Sequence, residues 1–266
     1  MKNLTQFVKN LLPYWIKRRA VLLARFLFYM KTVVVILSSM RAGSTLLKAL
    51  IAEAPEASHL QETDFREFYS EKHGFDDRIY QLSKTRILVM KLPYGFNDMT
   101  KVRPCPKGRN VRIIVLVRDV YGVVGSIEKR KEEMESSHMT KSNLVDYWCE
   151  SYGSILKSLD SVNANLLFIR YEDLTANPKE ITKKIFQFIG SRKKDGVENY
   201  RAPKDFEWRW GFDDGGENIK KLTVTKSFVK AEEDDKELLR IIEHSPRVHA
   251  LRKKFGYIQE DLTDKK

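Results

Sequence analysis

The stretch TVVVILSSMRAGSTLL, from Thr32 to Leu47, decides the fold. Val33, Val34, Val35, Ile36 and Leu37 form an unbroken β-branched and aliphatic run, the pattern of a parallel strand covered on both faces. Ser38 to Thr45 then make a short polar loop that opens a new apolar, helical stretch. Gly43 lets backbone approach a ligand closely, Ser44 and Thr45 offer hydroxyls, and a helix start offers unpaired N–H groups. Arg41 adds a fixed positive charge. Together these residues make a cradle for a phosphate-like anion. The plainer alternative is a strand-to-helix turn capped by Ser44.

A nucleoside-triphosphate loop wants Gly, four residues, then Gly-Lys-Ser/Thr. Here the first glycine is missing and no Gly-Lys pair precedes Ser44, which disfavours a magnesium-dependent kinase.

Working outward, further strand runs occur at Arg86–Met90, Val111–Val117 and Leu166–Ile169, with a short segment at 57–61. Between them lie helical patterns at 44–53, 65–69, 119–131 and 141–159. This alternation predicts an α/β protein: three layers, α/β/α, around a mainly parallel sheet. Ligands of such sheets bind beyond the carboxyl ends of the strands. Arg41, Glu62, Lys91 and Arg118 all follow a predicted strand and are expected on one rim. Residues 192–216, rich in charge, glycine and aromatics, read as a long mobile loop or lid.

With 266 residues, 48 Lys and Arg against 36 Asp and Glu give a net charge of +12. Seven of the cations (Lys2, Lys9, Lys17, Arg18, Arg19, Arg25, Lys31) fall in residues 1–31, which hold no acid. The remainder carries 41 basic against 36 acidic residues, a balance suited to a polyanionic nucleotide but too small for a nucleic-acid wrapper. From Pro13 to Met30, Trp15, Ile16, Leu22, Leu23, Phe26 and Leu27 recur at helical spacing. The interleaved cations exclude a membrane span, and a small-residue cleavage site is missing. That helix either packs on the domain or rests as a basic amphipathic helix on an anionic membrane surface. Cys105 and Cys149 read as reduced thiols in a cytoplasmic setting, and neither they nor the five histidines imply a metal.

Two more motifs follow. Arg118 ends a strand, and Ser126 lies eight residues on in the next helix, so both can converge on one phosphate. The alternative for Arg118 is an ion pair with Asp119 or another acid. The run LLFIRYEDLTANP, Leu166 to Pro178, places Tyr-Glu-Asp-Leu at a strand-to-helix junction.

In this order, over roughly residues 32–190, the three motifs resemble those of sulfotransferases that use 3′-phosphoadenosine 5′-phosphosulfate (PAPS), closer to the carbohydrate and bacterial branches than to the cytosolic branch. The resemblance implies a single sulfotransferase domain over 32–266 with P-loop-like nucleotide-binding topology. It implies that Arg41, Ala42, Gly43, Ser44, Thr45 and Leu46 hold the 5′-phosphosulfate, that Arg118 and Ser126 hold the 3′-phosphate, and that Tyr171 lies near the adenine. Glu172 and Asp173 then order the turn and charge the N-terminus of the following helix. Cytosolic members carry Arg-Lys-Gly near their end to grip the 3′-phosphate. This chain has none, and Lys226 and Ser227, in Thr225-Lys226-Ser227-Phe228, stand in for it.

Cytosolic members use a histidine before Leu-Pro as the base. Lys91-Leu92-Pro93-Tyr94 has lysine there, so that assignment fails. Gln61-Glu62-Thr63-Asp64-Phe65 resembles the segment whose glutamate is the base in other branches. Glu62 is therefore the expected base, with His59 as rival, Lys91 stabilising the sulfuryl oxygens and Arg41 the leaving group. The plainer role for Glu62 is a carboxylate favoured by a helix N-terminus. The acceptor is a hydroxyl or amine of a small molecule or carbohydrate. Phe65, Phe68, Tyr69, Tyr94, Trp208 and Trp210 either line its pocket or belong to the core. Competing functions are an ATP-dependent phosphotransferase of P-loop-like fold and a non-catalytic, membrane-associated nucleotide-binding module.

Overall fold

Val33 to Leu37 are sealed from solvent on both sides, because the strand they form is the middle of a five-stranded sheet. The computed structural model describes residues 32–59, 69–70, 74–75, 85–91, 110–129, 139–160, 162, 164–201, 217–226 and 235–258. Strand β1 (Thr32–Ser38) leads to helix α1 (Ser44–Ile51) and strand β2 (Ala57–His59). Next come the two-residue strands β3 (Tyr69–Ser70) and β4 (Gly74–Phe75), then β5 (Ile87–Lys91) and β6 (Asn110–Val117). Helices α2 (Val120–Glu128) and α3 (Lys141–Leu159) precede β7 (Asn165–Arg170), α4 (Tyr171–Ala176) and α5 (Pro178–Ile189). The C-terminal part contributes α6 (Glu217–Lys220), α7 (Lys236–Glu243) and α8 (Pro246–Lys254).

The sheet order is β2-β5-β1-β6-β7, and each neighbouring pair is parallel. Val35 stands between Met90 and Ile113 in register, so the apolar run of β1 meets apolar runs on both sides. Alternate side chains then go to opposite faces. Val33, Val35 and Leu37 pack with Leu88, Met90, Ile113 and Val115 under α2, α3, α7 and α8. Val34 and Ile36 pack with Ile87, Val89, Ile114 and Leu116 under α1 and α5. The result is the three-layer α/β/α arrangement.

Local signals agree with this scaffold. Thr140 accepts the Asn143 N–H while the Asn143 side chain accepts that of Thr140, a capping box that starts α3 where the apolar periodicity begins. Proline at the first turn of α5 and Gly190 in the left-handed region (φ 72°) after it set the bounds of that helix.

Three expectations need correction or limits. Tyr69 opens a small antiparallel pairing with Phe75 rather than ending a helix, and residues 65–68 lie outside the described residues. The start of the expected mobile loop at 192–216 is tied down. The Val197 N–H donates to Thr182 Oγ1 at 2.7 Å, the Tyr200 hydroxyl donates to Ile219 O at 3.0 Å, and Tyr200 is buried. Residues 202–216 are outside the described set. The basic segment 1–31 is outside it too, and among the described residues no helix is long and apolar enough to cross a membrane.

Candidate active site

From β1 the chain runs on to strands on one side of the sheet, and from β6 to β7 on the other. The carboxyl ends of β1 and β6 therefore flank the crevice where open α/β sheets take ligands. Arg41 follows β1 and Arg118 follows β6, on either side of it.

The loop after β1 is bent into unusual backbone. Arg41 has φ 61° and Gly43 has φ 92°, two left-handed positions within three residues. For Arg41 this costs about 1–2 kcal/mol, strain of the kind that clusters at functional sites. Gly43 is the N-cap of α1 and supplies no side-chain cap, so Ser44 starts the helix instead of capping it. Ala42 and Ser44 are buried, Leu46 half-buried. A Cβ on Gly43 would stand 2.5 Å from Tyr171 Cε2, so only glycine lets the edge of the ring come this close to the loop.

The predicted site residues then interlock. Arg41 Nε donates to Ser126 Oγ at 3.2 Å, and Arg118 Nη1 donates to the Arg41 carbonyl at 3.0 Å. The Arg118 guanidinium carbon sits 4.6 Å from the centre of the Tyr171 ring, a cation–π stack. Lys91, the last residue of β5, donates to Thr45 Oγ1 at 3.3 Å. Arg41, Gly43, Thr45, Lys91, Arg118, Ser126 and Tyr171 thus belong to one constellation. Arg118 is only 9% exposed, and its Nε has no hydrogen-bond partner among the described residues. A buried charged donor left unpaired costs about 1–3 kcal/mol or more, and this nitrogen packs on Gly122, where a Cβ would stand 2.6 Å from it.

His59 ends β2, and Lys48 is buried in α1. Burial first, and then the nearby Lys48 charge, depress the imidazole from 6.5 to about 3. Glu62 and Ser227 lie outside the described residues, as do Phe65, Phe68, Tyr94, Trp208 and Trp210. Lys226 is exposed at the end of the segment that follows α6.

Several supporting residues escaped sequence reasoning. Helix α3 presents Tyr147, Trp148 and Tyr152 to both loops. The Met40 N–H donates to the Tyr147 hydroxyl at 2.8 Å. The Arg118 N–H donates to the Tyr152 hydroxyl at 3.1 Å, and Trp148 Nε1 donates to the Arg118 carbonyl at 2.9 Å. Both backbone groups of Arg118 are therefore fixed by α3. Burial pushes the Tyr152 hydroxyl far up, so it stays neutral and able to donate to Leu116 O. The helical spacing of these aromatics was visible in the sequence, but their targets were not.

Asp119 pairs not with Arg118 but with Arg252 from α8, at 3.1 and 3.0 Å in a two-pronged bridge. Glu172 does more than charge a helix end: its Oε1 accepts the Asp119 N–H at 3.0 Å and its Oε2 accepts the Tyr257 hydroxyl at 2.6 Å. Asp173 pairs with Arg170.

Comparison with known proteins bears on the family and the fold. The model of the sulfotransferase domain matches residues 31–207. A sulfotransferase domain from the curacin biosynthetic pathway is 18% identical and superposes with a TM-score of 0.57, covering 87% of this chain and 100% of that one. A sulfotransferase domain from the Synechococcus PCC 7002 olefin synthase is 19% identical, with a TM-score of 0.45 over 87% of this chain and 89% of its own. Mouse sulfotransferase SULT7A1, complexed with PAP, is 13% identical, with a TM-score of 0.47 over 85% of this chain and 83% of its own. No curated protein matches the sequence.

Proposed function

The chain belongs to the sulfotransferase domain family, and from that premise we propose that it transfers a sulfuryl group from PAPS to a hydroxyl or amine of a small-molecule or carbohydrate acceptor. The observation that carries this reading is the interlock of Arg41, Arg118 and Ser126 across the β1–β6 crevice, with the Tyr171 ring against the Arg118 guanidinium. Two fixed cations from adjacent strands, a serine hydroxyl and an aromatic ring suit a nucleotide carrying two separate anionic groups.

When bound, PAPS supplies a sulfuryl group on a phosphate leaving group. The residues around it position and neutralise. Arg41 and the N–H groups at the start of α1 balance charge on the leaving phosphate. Arg118 and Ser126 hold the 3′-phosphate, and Tyr171 flanks the adenine. Lys91, held beside α1 by Thr45, stabilises the sulfuryl oxygens. Glu62 accepts the acceptor's proton. A conjugate acid at about 3 makes His59 a weak proton acceptor, which favours Glu62. Lys226 and Ser227 add contacts to the 3′-phosphate.

We propose further that residues 32–266 act as one domain in the cytoplasm and that the basic segment 13–30 makes a peripheral contact with the inner membrane surface. To test the activity, sulfur-labelled PAPS is offered with a panel of alcohols, amines and sugars. Label moving to an acceptor in the native protein, and not in Arg118→Ala, supports the reading. Nucleotide binding with no transfer to any acceptor overturns it in favour of a binding module.

A further inference from the structure

Arg118 is aimed by its neighbours on either side in the chain, and the last described segment of the protein holds both of them. Asp119 caps α2 by accepting the Val120 N–H at 2.7 Å, so it fixes the helix that carries Ser126. Its carboxylate receives both prongs of Arg252, and the two side chains are only 12% and 17% exposed. Its N–H is taken by Glu172, whose other oxygen is held by the Tyr257 hydroxyl. That hydroxyl also lies 3.4 Å from the Val117 carbonyl. Val117 and Asp119, which flank Arg118, are thus both gripped by residues 252–257. Helix α7 is fastened in turn to α3, where Lys141 meets Asp235 and Glu237 at 2.7 and 2.9 Å.

These contacts come from outside the residues matched by the family model, which end at 207. They have no local sequence signature, since Arg252 lies 133 positions from Asp119. We infer that Arg252 and Tyr257 are positioning residues for nucleotide recognition: they lock the β6–α2 junction so that Arg118 and Ser126 face the 3′-phosphate in a fixed geometry. This rests on the proposed nucleotide site. Each acts through Asp119 or Glu172. The arrangement ties the affinity of the site to the docking of the C-terminal helices.

The test is a double-mutant cycle read by calorimetry with adenosine 3′,5′-bisphosphate (PAP), on full-length protein checked for folding by circular dichroism. Arg252→Met keeps length and apolar packing but loses the bridge, and is expected to weaken PAP binding about ten-fold. In an Arg118→Ala background the same change should cost less than about two-fold, because the residue it positions is gone. Tyr257→Phe should show the same pattern at smaller size, and it remains available if Arg252→Met fails to fold. Equal losses in both backgrounds, or unchanged PAP affinity in folded Arg252→Met or Tyr257→Phe, overturn the inference. If Arg118→Ala itself leaves PAP binding intact, the nucleotide site proposed above fails, and the inference falls with it.

Discussion

Replacing Gly43 by alanine puts one methyl group where the structure has no room and no tolerance. The backbone there has φ 92°, and the new Cβ would lie 2.5 Å from Tyr171 Cε2. Forcing an L-residue into the left-handed region costs about 1–2 kcal/mol. Overpacking against a ring held by Arg118 adds about 1–3 kcal/mol. The sum, about 2–5 kcal/mol, predicts a melting temperature lower by roughly 4–20 °C for a protein of this size. Within a total stability of about 5–15 kcal/mol, the variant should still fold. Relief of the clash must move Tyr171 off the loop, and with it the partner of the Arg118 stack, so PAP affinity should fall as well. Urea unfolding of the native protein, Gly43→Ala, Tyr171→Ala and the double variant separates the two costs. With the ring removed, only the backbone cost of about 1–2 kcal/mol should remain for Gly43→Ala. A Gly43→Ala protein with native stability and native PAP affinity would refute the reasoning, and so would an equal cost in both backgrounds.

Other outcomes follow from the same structure. Glu62→Gln keeps size but loses proton-accepting power, so turnover should fall roughly a hundred- to ten-thousand-fold with PAP affinity intact. Near-normal turnover in that variant, with loss in His59→Ala, would move the base to His59. His59 takes up a proton near pH 6.5 when unfolded but only near 3 when folded, so the unfolded state binds more protons between these values and stability must fall with pH. The loss should reach about 2 kcal/mol between pH 7 and pH 5, and urea melts of His59→Gln should be flatter by that amount; equal slopes would contradict the buried neutral imidazole. Removing residues 1–31 should abolish salt-sensitive co-sedimentation with anionic vesicles and leave PAP binding unchanged. An unfolded truncation would show instead that those apolar residues belong to the core.

The parts of the fold written in local pattern were legible in the sequence. The Val33–Leu37 run and Val111–Val117 fixed two central strands to within a residue at either end. Helix α3 begins and ends where its helical pattern placed it, at Lys141 and Leu159. In the site, the strand-end positions of Arg41, Lys91 and Arg118 followed from the βα alternation alone. Less visible was α4, which starts at Tyr171 immediately after β7 and is too short for its periodicity to register. Helices α7 and α8 carry ordinary start signals, Asp235 and Ser245-Pro246. What they contribute to the site was hidden, because Arg252 and Tyr257 find their partners only once the sheet brings β6 and β7 together. Nor does any spacing rule reveal that Tyr171 needs the missing side chain of Gly43.

The central claim is that the β1–β6 crevice binds a 3′-phosphorylated adenine nucleotide through Arg41 and Arg118. The most direct measurement is calorimetry of PAP against ATP, with chelator and then with magnesium, on the native protein, Arg41→Ala and Arg118→Ala. PAP should bind without metal and more tightly than ATP, and each substitution should weaken it about ten- to a hundred-fold, the worth of a charged hydrogen bond of roughly 1.5–3 kcal/mol. Tighter binding of magnesium-ATP, or unchanged PAP affinity in both folded variants, would contradict the account.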